Sequence, residues 1–228
     1  MDKINSSKLC PQPEQSNRLS RDKRREQILQ AAFDLFSQRG FSGTTTKDIA
    51  QAARVSEATL FKHFETKEAL YGAIIEAKRC EHGLSRLPWL ENQQLIEAIE
   101  RGDDRAFFYH FALSALESHR ENVSFIRMIF YSALEEHELA ERFFAEFVSE
   151  IYEFLSQYVR RRQAEGVFRK IRPKIAVRAF LGMLIHHSLN NTLWDKKRRI
   201  LNISNEQAAR NFADILLFGL VEKNGEHA

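Results

Sequence analysis

Glycine and proline are scarce in this chain, nine and four among 228 residues. No segment sustains an alternation of apolar and polar residues, so a sandwich or barrel of short strands and frequent turns is excluded, and long stretches of helical periodicity predict an all-α fold. Cysteine is rarer still: Cys10 and Cys80 stand seventy positions apart. With no second Cys or His at metal-ligand spacing, they read as free reduced thiols, and neither a disulfide framework nor a metal site is expected. No apolar run approaches the eighteen residues of a membrane span, and residues 1–20 lack the apolar core of a signal peptide, so the expected compartment is the cytoplasm. The motifs of catalysis are missing too: there is no Gly-rich phosphate loop, GxSxG, HExxH or CxxC. Glu135, Glu136 and Glu138 beside His137 read as a charged turn between helices, so neither an enzyme nor a cofactor is expected.

What is present concentrates between Arg18 and Lys67. Ile28, Leu29, Ala32, Leu35 and Phe36 recur at three- and four-residue spacing, which predicts an amphipathic helix from Arg24 to Arg39, stopped at Gly40. Thr45 with Asp48 three positions on forms a capping-box pattern, opening a second helix that runs to about Ala53. Ser56 is a good N-cap for a third short helix through His63 or Phe64, with Leu60 and Phe64 on one side and Ser56, Thr59, Lys62 and His63 on another. Two short helices over a supporting first helix describe the helix-turn-helix, whose second helix enters the DNA major groove. This segment carries ten Lys or Arg against six Asp or Glu, a surplus of four, whereas the whole chain is +3. Positive charge therefore gathers where phosphates would be met. Arg18, Arg21, Lys23, Arg24 and Arg25 read either as an arm that folds onto phosphates or a minor groove, or as a solvated entry to the helix. Residues 1–20 read as a disordered polar tail, 21–66 as the DNA-binding domain and 67–228 as a second helical domain.

The string ILQAAFDLFSQRGFSGTTTKDIAQAARVSEATLFKHFETKEALY, Ile28 to Tyr71, resembles the TetR family of bacterial transcriptional regulators. It holds the family's ordered Gly-aromatic, Thr-Thr, Ile-Ala, Val-Ser, Thr-Leu-aromatic, His-Phe and Lys-Glu pattern. The resemblance implies that Thr45 and Thr46 meet phosphates, that Ser56, Glu57, Ala58 and Thr59 lie at the groove, and that Lys62 and His63 reach bases or backbone. Lys67, opening the fourth helix behind Thr66, would bind phosphate. Two positions depart from the pattern. Phe61 replaces the usual Tyr, losing a hydroxyl whose hydrogen bond to a charged group is worth roughly 1.5 to 3 kcal/mol. Arg54 replaces the usual Gly in the turn before the third helix, where Gly would permit a positive φ; Arg54 either adds a phosphate contact or marks a modified turn.

Beyond the fourth helix, expected to end near His82 or Gly83, Pro88 and then Asp103 or Asp104 suit helix starts. Further helices are expected over Asn122–Glu135, Leu139–Glu165, Pro173–Trp194 and Ser204–Glu222, about nine in all. The last helix carries an apolar stripe with Phe212, Ile215, Leu216 and Gly219, and the one before it Ala179, Phe180, Met183 and His187. Resemblance implies that these two helices pair with their copies in a second subunit as a four-helix bundle; closing a monomer core is the other reading. A dimer is expected independently, since so short a reading helix covers few bases and a two-fold pair spans half-sites about 34 to 36 Å apart. The family's C-terminal domains enclose a ligand pocket, for which Phe107, His110, Phe111, Phe130, Tyr131, Phe147, Tyr152, His187 and Asn190 are the candidates. The expected function is a ligand-responsive regulator, with repressor as the family's usual sign, that binds a palindromic operator as a homodimer and is released by a small apolar or aromatic effector. The alternative is a DNA-binding dimer without a small-molecule switch.

Overall fold

The computed structural model describes residues 17–81 and 92–221. Eleven α-helices run in chain order among these residues: α1 Asn17–Arg39, α2 Thr46–Ala52, α3 Glu57–His63, α4 Lys67–Glu81, α5 Gln93–Arg101, α6 Asp104–Glu121, α7 Val123–Leu134, α8 Glu138–Phe143, α9 Ser149–Ala164, α10 Pro173–Leu189 and α11 Asn205–Leu220. One isolated antiparallel bridge, Phe168 to Val221, is the only β pairing among them. No helix of the described residues is long and apolar enough to cross a membrane.

Several boundaries differ from expectation. Helix α1 begins at Asn17, inside the segment read as tail, because no Gly or Pro breaks the run from there to Arg39; residues 1–16 lie outside the described residues. The stretch Leu139–Glu165, expected as one helix, holds a π-helical turn at Phe144–Val148 between α8 and α9. A second π turn, Asn190–Trp194, follows α10. Pro88, His82, Gly83 and Glu222 lie outside the described residues.

Two compact units divide the chain. Residues 17–81 and 127–140 form the first, and 92–126 with 141–221 form the second. Helix α4 belongs to the first unit, in which Leu70, Tyr71 and Ile74 are buried. Tyr71 meets Phe36 edge-on with centroids 4.7 Å apart and donates its hydroxyl to the Met128 carbonyl at 3.1 Å. Burial pushes that phenol up to about 12.

The second unit is built round Phe107, Phe108, Phe111, Leu116, Tyr158, Phe180, Leu184 and Leu216. The rings of Phe107 and Tyr158 stack at 3.7 Å and 10°. Tyr158 donates to Asp104 at 2.7 Å, and Arg162 grips the same carboxylate through Nε and Nη2 at 2.8 and 2.9 Å. This bidentate pair, with both side chains 14% exposed, ties the start of α6 to the end of α9.

Candidate nucleic-acid interface

Two caps and one tight turn position the second and third helices. Thr45 accepts the Asp48 N–H while Asp48 accepts the Thr45 N–H, completing the capping box at α2. Ser56 Oγ accepts the Thr59 N–H at 3.1 Å and shares a 2.9 Å hydrogen bond with the Thr59 hydroxyl, which starts α3. Between them α2 closes with Arg54 in the left-handed region at φ 52°. The Arg54 N–H reaches the Gln51 carbonyl at 3.1 Å, and the Val55 N–H the Ala50 carbonyl at 2.9 Å. That bond pair is the Schellman closure of a helix. Arg54 therefore occupies the conformation that Gly favours: the turn keeps the shape, and a non-glycine residue bears its strain.

Leu60 and Phe64 are buried against the unit's core, with Arg25 lying 4.9 Å over the Phe64 ring. Glu57, Ala58, Phe61 and Lys62 are exposed, while Thr59 and His63 are half-buried. The outward face of α3 thus differs from the polar side expected from the sequence. With 100° between successive residues, Leu60 fixes the inward direction, Phe61, Ala58 and Lys62 fall 100° to 160° away from it, and Glu57 stands at the edge of that arc beside Phe61. Burial, together with the charges of Arg21, Arg25 and Arg24, holds the His63 imidazole below its ordinary pKa.

The other expected contact residues divide into committed and free groups. The Thr46 hydroxyl donates to Glu57 at 3.0 Å, joining α2 to α3. Lys67 donates to the Phe41 and Thr44 carbonyls, each at 3.0 Å, and its ammonium sits 4.0 Å over the Phe41 ring. Two of its three donors hold the α1–α2 turn, leaving one for a phosphate. Arg24 donates to Gln27, which in turn donates to the Ala53 carbonyl at 2.9 Å, so α1 is pinned to the end of α2. Sequence reasoning missed Gln27, an exposed polar residue on a helix whose apolar stripe drew the reading, and it placed Arg25 in a basic arm without its contact with the Phe64 ring. It also read Glu135 as turn charge. Glu135 instead accepts the Phe41 N–H at 2.9 Å and the Ser42 N–H at 3.3 Å.

The nine ligand candidates are divided between the two units. Phe130 and Tyr131 belong to the first unit, where Tyr131 donates to the Gln38 carbonyl at 3.2 Å. In the second unit Phe107 and Phe111 are spent on core packing, Phe111 tilted against Phe180 at 6.1 Å. His110 lies beside Tyr109, Phe147 beside Phe143, and Tyr152 accepts from Arg178. His187 meets Asn191 at 2.9 Å and Phe212 at 5.5 Å, and Asn190 bonds back to His186. A groove of about 300 Å³ lies instead in the first unit, between α1 and α4, lined among others by Arg25, Leu29, Phe33 and Ile74. Among the described residues no group of three or more His, Cys, Asp or Glu could hold a metal ion.

Of the interface candidates, Ala179, Ile215 and Gly219 are exposed, and Met183 and Phe212 are half-buried. Phe180, His187 and Leu216 are buried in their own unit, because they lie on the faces by which α10 and α11 pack into its core, and so do not present a free surface. Exposed Ile175, Ile185 and Phe218, absent from the expected set, extend the outward apolar face that Ala179 and Ile215 share.

Comparison with known proteins matches this arrangement twice. Residues 28–74 fit the model of bacterial regulatory proteins of the tetR family, and residues 111–218 fit the C-terminal domain of AefR-like transcriptional repressors. An HTH-type transcriptional repressor of Mycobacterium tuberculosis is 41% identical over 78 residues, 34% of this chain and 39% of that protein. The HTH-type transcriptional regulator RutR of Escherichia coli is 48% identical over 52 residues, 23% of this chain and 24% of its own. The chain thus spans well under half the length of these curated relatives. Among solved structures, NalD of Pseudomonas aeruginosa, the secondary repressor of a multidrug efflux pump, is 23% identical with a TM-score of 0.62, covering 90% of this chain and 100% of its own. AibR, solved with isovaleryl coenzyme A and operator DNA, is 24% identical with a TM-score of 0.60, covering 85% of this chain and 98% of its own. At these identities the structural likeness speaks for the fold. With an N-terminal helix-turn-helix whose caps and turn are all in place, and with family models matched in both halves, the chain belongs to the TetR family of transcriptional regulators.

Proposed function

We propose that the protein is a transcriptional regulator, in sign a repressor, that binds an inverted-repeat operator as a homodimer and is released by a small apolar or aromatic effector. The observation that carries the DNA-binding part is the exposed arc of α3, held outward by its Ser56 cap and by the buried Leu60. Exposed Arg24, Lys47, Arg54 and Lys62 belong to the same unit and supply the positive charge that phosphates require. The dimer reading is supported by the outward faces of α10 and α11, where Ile175, Ile185, Ile215 and Phe218 are 43 to 78% exposed. Apolar residues in such a row mark an interaction surface. A repressor of M. tuberculosis among the relatives favours the sign, and a structural neighbour solved with operator DNA favours the DNA partner. Domain roles follow: residues 21–66 with α4 contact DNA, and the second unit binds effector and dimerises.

Selection of bound duplexes from a random pool at moderate salt tests the reading. An enriched inverted repeat is the expected result, whereas the absence of any enriched sequence would remove it. For the effector, ligand at a hundred times its dissociation constant adds about 2.7 kcal/mol of stability. A panel of hydrophobic compounds that leaves the melting temperature of a DNA-binding protein unmoved would point to an unswitched regulator.

A further inference from the structure

The outward arc of α3 is half apolar, and this feature is not explained by folding. Phe61 is 44% exposed although the buried side of the same helix accepts Leu60 and Phe64 completely or nearly so. Ala58, three residues earlier, is exposed and lies on the same arc. A methyl group and an aromatic ring therefore sit side by side where base edges would be met, flanked by Glu57 on one side and Lys62 on the other. The Glu57 carboxylate is already engaged by the Thr46 hydroxyl, which leaves Lys62 as the arc's free hydrogen-bonding group.

The major groove offers one apolar feature, the C5-methyl of thymine; all other edge groups are donors or acceptors. Resting on the DNA-binding reading above, we infer that Phe61 and Ala58 form a methyl-reading surface, making Phe61 a specificity-determining residue that selects thymine in each operator half-site. Charge complementarity commits this surface to a nucleic acid: Arg21, Arg24 and Arg25 bear on the far end of α3 at His63, and Lys62 lies on the arc itself. A phenol at this position would bring a hydroxyl to be satisfied. The phenyl ring has none, so its contribution is shape and apolar contact.

The duplex enriched by selection is the probe. Each thymine of a half-site is replaced in turn by deoxyuridine, which deletes the methyl group and keeps both hydrogen-bonding edges. At one or two positions wild-type affinity is expected to fall about fourfold per half-site, and about fifteenfold when both half-sites are changed, from the worth of one buried methyl group. Phe61→Ala should bind the thymine duplex more weakly and be indifferent to deoxyuridine there, with an unchanged melting temperature as the control for folding. Phe61→Tyr should keep the sensitivity. If Phe61→Ala and wild type lose the same factor on methyl removal, or wild type is indifferent at every thymine, the assignment of Phe61 is overturned while DNA binding stands. If the pool yields no enriched duplex, the DNA-binding reading itself fails, and the assignment falls with it.

Discussion

The carboxylate of Glu135 accepts the backbone N–H of Phe41 from ninety-four residues away in the chain. It closes the turn after α1, where Gly40 has φ 74° and where an added Cβ would run into the same carboxylate. The turn that orients α2 is thus held by a side chain from the loop after α7. Helix α7 itself begins in the second unit and ends in the first.

Glu135→Ala should therefore leave the Phe41 and Ser42 N–H groups without their acceptor. The expected cost is about 1 to 3 kcal/mol, the range for a hydrogen bond to a charged group or an orphaned donor. Chemical denaturation reads it directly. Glu135→Gln, which keeps an acceptor, should lose less; equal losses would show that the carboxylate does not act as the cap.

For Arg54→Gly two effects of similar size oppose each other. Relief of a left-handed non-glycine residue gains about 1 to 2 kcal/mol, and the freer unfolded chain costs about 0.4 to 1 kcal/mol. The unfolding midpoint should shift little, toward greater stability. If Arg54 also neutralises a phosphate, the slope of log affinity against log salt should fall by about 0.9 per subunit. An unchanged slope would assign Arg54 to the turn alone.

His63, His119 and His187 are all held below the usual imidazole value, chiefly by burial. A folded pKa below the unfolded one, about 6.5, means that the unfolded chain takes up protons first. Their contribution is then complete above pH 6.5 and is lost as pH falls through the folded values. The melting temperature should decline between pH 7 and pH 5, and His119→Gln should flatten the decline while keeping a partner for Ser188, now 2.9 Å from the ring. Asp48 and Asp195, held low by hydrogen bonds, act only in a lower window, below about pH 4.

Removing Asp104 should be expensive, since Arg162 is nearly buried and keeps only Glu165 as a carboxylate partner. Asp104→Asn is expected to destabilise by about 3 kcal/mol. The double variant Asp104→Asn with Arg162→Met should lose clearly less than the sum of the singles. Additive losses would mean that the two side chains do not interact in solution.

Ile215→Asp and Phe218→Asp test the dimer at positions 60 and 78% exposed. Both should fold and sediment as monomers. Phe212, half-buried against the His187 ring, is a poorer test because a charge there also threatens the core. Dimers retained by both variants would move the interface away from α11.

Local signals made the helix-turn-helix legible. The Thr45 and Ser56 caps, the Asp48 return bond and the apolar spacing of Ile28, Ala32 and Phe36 act over three or four residues, and all stand in the structure where the chain implies them. The side chains at the reading face were harder to place. His63 and Thr59 were read as outward, yet the arc is set by how Leu60 and Phe64 seat in the core, and one helical turn leaves room for a shift of a residue. Lys67 carries the sequence mark of a phosphate ligand, whereas two of its donors hold carbonyls at Phe41 and Thr44. The second unit was less legible still, because a Phe at helical spacing serves a core, a pocket or an interface with the same pattern. Phe107, Phe130 and Phe218 look alike in sequence; one stacks on Tyr158, one lies in the other unit, and one is 78% exposed.

What the sequence alone determined was whatever is encoded locally: the all-α class, most of the helix starts, the capped reading head and its surplus of positive charge. Tertiary structure alone decided which chain segments share a unit and which apolar faces stay uncovered. It also decided that Glu135 reaches back ninety-four residues to the turn beneath the DNA-binding helices. The physical reason is range. Capping and helical periodicity act within a turn, whereas burial and ion pairing depend on neighbours that only the packed chain brings together.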